Sequence, residues 1–93
     1  MKKTFPLEVP GKKAPRVLDS IKHELKKYVK RERRKTLPED MDYWDFDCRV
    51  GDNSETAEAI HLKEINKSLD KLSEAKPESI YVEILAKAVK RGP

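Results

Sequence analysis

The apolar residues of this chain fall into segments whose period switches between two and about 3.6. Residues 2–9 alternate, with Phe5, Leu7 and Val9 on one side, which predicts a strand. Pro6 points the other way and has no N–H, so that strand should carry an unpaired stretch or a bulge. Pro10-Gly11 should end it. Pro15 suits the first turn of a helix. From there Val17, Leu18, Ile21, Leu25, Tyr28 and Val29 make one stripe at helical spacing. The stripe stops at Val29, but the helix is expected to continue until Leu37-Pro38, because the residue before proline avoids the helical region. Residues 43–50 alternate again, with Trp44, Phe46, Cys48 and Val50 opposite Tyr43, Asp45, Asp47 and Arg49. That is a strand with one buried and one wet face. Gly51 to Ser54 reads as a turn.

Residues 55–76 admit two readings. Leu62, Ile65, Leu69 and Leu72 form a helical stripe, but Ile60 falls on its far side. A change of period, a short strand near 57–62 and then a helix over about 63–75, accounts for both; the rival is one helix from Ser54. Lys76-Pro77 closes the helix in either case. Ser79 to Ala88 places Ile80, Val82 and Ile84 opposite Tyr81, Glu83 and Leu85, a strand with apolar residues on both sides. The order β-α-β-β-α-β predicts an α+β, ferredoxin-like two-layer sandwich: a four-stranded antiparallel sheet with two helices on one face. If the short third strand fails, a three-stranded βαβαβ sheet is the fallback.

Length and composition narrow the function classes. Ninety-three residues suit one domain spanning 1–93, with a modest core and little room for a deep cleft. Charged residues make up 41% of the chain, against an ordinary share of about 25%. No apolar run approaches the roughly 20 residues of a membrane span, and Glu8 interrupts the only apolar stretch near the N-terminus, so neither a membrane partner nor a signal peptide is expected. The single cysteine, Cys48, allows no internal disulfide, which fits a reducing compartment and a cytoplasmic protein. The net charge of +4 conceals an asymmetry. Residues 1–37 hold 13 Lys/Arg and 4 Asp/Glu, a balance of +9; residues 38–93 hold 8 and 13, a balance of −5.

Four blocks carry a resemblance: Lys2-Lys3-Thr4-Phe5-Pro6-Leu7, Lys30-Arg31-Glu32-Arg33-Arg34-Lys35, Trp44-Asp45-Phe46-Asp47-Cys48-Arg49 and Tyr81-Val82-Glu83-Ile84-Leu85-Ala86-Lys87. Together they resemble a family of small bacterial proteins known only as a domain of unknown function, and the resemblance spans nearly the whole chain. It implies a bacterial, stand-alone, single-domain protein and brings no catalytic or binding role with it.

The basic end of the first helix is the leading candidate for chemistry. Lys26, Lys27, Lys30, Arg31, Arg33, Arg34 and Lys35 stand within ten residues with one acid, Glu32, among them. Like charges at i,i+4 cost about 0.2–0.5 kcal/mol per pair, which the helix dipole offsets in part. A phosphate backbone would supply the missing counter-charge, so RNA or a ribonucleoprotein is the leading partner. The competing account is internal: Glu39, Asp40, Asp42, Asp45 and Asp47 follow closely and could fold back onto the basic segment. A solvated basic face is the third.

Other sites are weaker. Asp45 and Asp47 share one strand face and could converge on a cation or small ligand, but the spacing fits no EF-hand loop. Cys48, His23 and His61 give none of the usual zinc spacings, and Cys48 is expected in the core. Tyr43 and Tyr81 should lie on the open sheet face, where Asp45, Asp47 and Glu83 would repel RNA; with Leu85 they suit a protein partner or self-association better. There is no glycine-rich phosphate loop, nucleophile elbow or HExxH. The expectation is therefore a non-enzymatic binding module without catalytic residues, metal or cofactor.

Overall fold

The computed structural model describes residues 1–91. Its elements are β1 (Lys2–Pro6), α1 (Ala14–Arg33), β2 (Tyr43–Gly51), β3 (Glu58–His61), a 3-10 turn (Leu62–Glu64), α2 (Ile65–Glu74) and β4 (Ser79–Val89). The four strands form one antiparallel sheet in the order β1-β4-β2-β3. The α+β two-layer arrangement expected from the periodicity thus forms, with β4 and β2 as the inner strands. Each helix joins two strands that run the same way with an antiparallel strand between them, so two split βαβ units interlock.

One core lies between the layers. Phe5 of β1, Phe46, Cys48 and Val50 of β2, and Ile80, Val82 and Ile84 of β4 meet Val17, Leu18, Ile21, Leu25 and Val29 of α1 and Ile65 and Leu69 of α2. Leu69, Ile80, Val82 and Ile84 are fully buried. Both helical stripes therefore cover the same sheet face, and Lys22 of α1 reaches Asp70 of α2 across the helix pair at 2.5 Å.

Several boundaries differ from the periodic reading. β1 ends at Pro6 rather than near Val9. Leu7 still donates its N–H to the Glu78 carbonyl (2.9 Å), after which the chain turns. Lys12 N–H bonds back to the Val9 carbonyl (3.1 Å) around Pro10-Gly11, with Gly11 at φ +80°. Proline followed by a glycine at positive φ is the signature of a type II turn. α1 ends at Arg33 and not at Leu37-Pro38. Arg34 caps it, and Trp44 Nε1–H donates to the Lys35 carbonyl (2.9 Å), so β2 ties down the chain just past the helix. The segment near 57–62 is a strand, pairing with β2 over 58–61, and the helix after it opens with a 3-10 turn.

Candidate nucleic-acid interface

Four of the seven basic residues line one groove. This groove, of about 830 Å³, runs between the second half of α1 and the 3-10 turn with the start of α2. Lys26, Lys30, Arg33 and Arg34 line it; Lys27, Arg31 and Lys35 do not. Helical geometry explains the division. Lys22, Lys26, Lys30 and Arg34 step by four residues and follow one ridge, while Lys27 and Arg31 sit on the next ridge, turned about 100° away. Lys22 and His23 extend the lining towards the middle of α1, and Leu25, Val29, Leu62 and Ile65 bring apolar side chains to it. Asn66 stands on the α2 side.

Their electrostatic settings also differ. Among the described residues, Lys26, Lys30, Arg33 and Arg34 have no ion-pair partner, and neither do Lys27 and Arg31. The Arg33 guanidinium lies 5.5 Å from the Phe46 ring centre, and that of Arg31 lies 5.6 Å from Tyr28. Lys35 bonds Glu32 at 2.6 Å, and Tyr28 donates its hydroxyl to the same carboxylate at 3.2 Å. These hydrogen bonds, the one from Lys35 first, lower the Glu32 pKa from its ordinary value; burial first, and then Glu32, raises that of Tyr28.

Among the described residues, the acidic run makes no ion pair with the groove cations. Asp47 pairs with Lys87 at 2.9 Å, Asp45 accepts the Phe46 N–H at 2.9 Å, and Asp42 accepts the Arg91 N–H at 2.6 Å. Asp45 and Asp47 thus have partners of their own, and no group of three or more metal-ligating side chains gathers among the described residues. Cys48 is 2% exposed between Phe46 and Val50, and burial, then Asp47 and Asp45, pushes its pKa up to about 11. A thiol so disfavoured as thiolate is a poor nucleophile. His61 caps the 3-10 turn by accepting the Lys63 N–H on Nδ1 (3.2 Å).

The open sheet face carries paired charges. Glu83 is 6% exposed and sits between Lys2 (3.4 Å) and Arg49 (3.6 Å), with the Tyr81 hydroxyl donating to it at 3.3 Å. Tyr81, expected on this face, is 9% exposed. At Gly51, its register partner, a Cβ would stand 2.6 Å from the Cα of Ala57, so the loop over residues 52–57 folds back closely at that position. Arg49 fastens that loop by donating to the Ala57 carbonyl at 3.0 Å. Among the described residues, Leu85, Tyr43 and Met41 are the exposed large apolar ones.

Among the described residues, no helix is long and apolar enough to cross a membrane. A family model described as a family of unknown function, DUF6172, matches residues 1–93. The chain belongs to that family. No curated protein and no solved structure matches it.

Proposed function

We propose that this DUF6172 protein is a non-enzymatic binding module that holds RNA, free or within a ribonucleoprotein, through its groove. One observation carries the reading: Lys26, Lys30, Arg33 and Arg34 converge on one groove and, among the described residues, pair with no carboxylate, although an acidic run follows them closely in sequence. Cations held together without anions favour a ligand rich in negative charge, and phosphate contacts of this kind are largely indifferent to sequence. Lys27 and Arg31, on the adjoining ridge, add to the attraction at longer range.

Fluorescence anisotropy with a mixed-sequence RNA tests this. Four phosphate contacts to a single strand give a slope of log affinity against log salt near −3, from about −0.7 per contact. Replacing Lys26, Lys30 and Arg34 by Gln lowers that slope by about 2. Replacing Lys27 and Arg31 weakens binding less. Equal binding by wild type and the triple variant overturns the reading.

A second reading has its own support. Leu85 is 46% exposed, large and apolar, on the open sheet face. That face would then meet a protein partner or a second copy of the chain. A mass that rises with concentration and is reset by Leu85→Lys would support it.

A further inference from the structure

We propose that the groove takes single-stranded RNA with an unpaired base laid against its apolar floor. The inference rests on the RNA reading above and deepens it. Phosphates alone require cations, not a half-buried Leu62 beside them, with the core residues Leu25, Val29 and Ile65 behind it closing the floor. A duplex keeps its bases stacked inside and offers such a floor nothing to contact, whereas an unpaired strand can splay a base outward. The space also exceeds what a phosphate needs: about 830 Å³ lies within the roughly 300–1,000 Å³ of clefts that enclose organic ligands.

The walls point the same way. The unpaired cations stand on the α1 side, in a row from Lys26 to Arg34 about 12 Å long at 1.5 Å per residue. One row of charge suits one backbone, over a few nucleotides. Opposite it, Asn66 presents an exposed amide, which offers a donor and an acceptor and so matches a base edge rather than a phosphate. His23, also exposed, supplies a ring that can stack on a neighbouring base.

The test compares three probes on the intact protein: an unstructured RNA, a duplex of the same sequence, and inorganic polyphosphate as a chain without bases. The unpaired RNA should bind about tenfold or more tightly than either of the others at one salt concentration. Leu25, Val29 and Ile65 are core residues, so Leu62→Asn, at a half-buried site, and Asn66→Ala, at an exposed one, are the variants of choice. Leu62→Asn should weaken the unpaired RNA about five- to tenfold, leaving its salt slope and the polyphosphate affinity unchanged. Asn66→Ala should act in the same direction, and thermal melts check that both variants fold. Equal affinity for RNA and polyphosphate, or unchanged binding in both variants, would show that bases do not enter; the phosphate grip would stand without this inference. No binding by any of the three removes the RNA reading itself. Capture of an acidic amphipathic peptide in their place would assign the groove to a protein.

Discussion

The open sheet face and the α1–α2 groove are both rich in basic side chains, and they treat them in opposite ways. On the sheet, Lys2 and Arg49 flank Glu83, and Lys87 holds Asp47. In the groove, Lys26, Lys30, Arg33 and Arg34 find no carboxylate among the described residues. Charge on the sheet is internal to the fold: it knits three strands and a loop together. Apart from Lys22, which ties α1 to Asp70 of α2, the groove cations make no such ties and are available to something else. Counting basic residues would treat the two regions alike; the positions of the acids separate them.

Substitutions should sharpen the contrast. The largest effect is expected at Gly51→Ala, where the added Cβ forces the 52–57 loop off the sheet. Overpacking against backbone costs about 1–3 kcal/mol, read as a lower denaturant midpoint, and it should leave RNA binding by the folded protein intact. Next, Glu83→Gln leaves Lys2 and Arg49 without their anion. Both cations are partly solvated, so about 1–2 kcal/mol is expected, again without loss of binding. The triple change of Lys26, Lys30 and Arg34 to Gln should shift stability by less than about 0.5 kcal/mol, since relief of like-charge pairs and loss of the dipole contribution oppose each other. If that variant melted as low as Glu83→Gln, the groove cations would be structural and the comparison would collapse. Smallest is Glu32→Gln. The folded pKa of Glu32 is lowered, so its contribution is present above the ordinary carboxylate pKa and is lost as pH falls through the folded value. The melting difference between wild type and Glu32→Gln should therefore close on acidification.

The layers of the fold were legible because their period is local. Phe46-x-Cys48-x-Val50 and the Val17-to-Val29 stripe announce their buried faces within a few residues, and both faces are buried as expected. Ile60 broke the helical period of its neighbours and left two readings open, of which the structure forms the strand, at 58–61. The groove was only half legible. The i+4 ridge through Lys26, Lys30 and Arg34 is written in the sequence, and continuing it back by four residues would have added Lys22. Leu62 and Asn66 joined it unannounced, because only the packing of α2 beside α1 brings them within reach. The burial of Tyr81 was hidden for the same reason. Strict alternation placed it on the open face, and its burial there depends on neighbours that the alternation does not reveal, such as Glu83, which accepts its hydroxyl.

The strand order has a consequence for how the chain acquires its shape. β4 is the last strand to be synthesised, yet it is the one that β1 and β2 both require. Phe5 must wait for Ile80, and Lys2 for Glu83, while β2 and β3 can meet early through their short connection. Until β4 arrives, the long flank of β2 is an unpaired edge able to recruit other chains. Such distant pairings make for slow closure and a high contact order. A nascent or truncated chain lacking residues 79–89 is thus a separate hazard: a sticky hairpin beside a basic helix, waiting for its keystone.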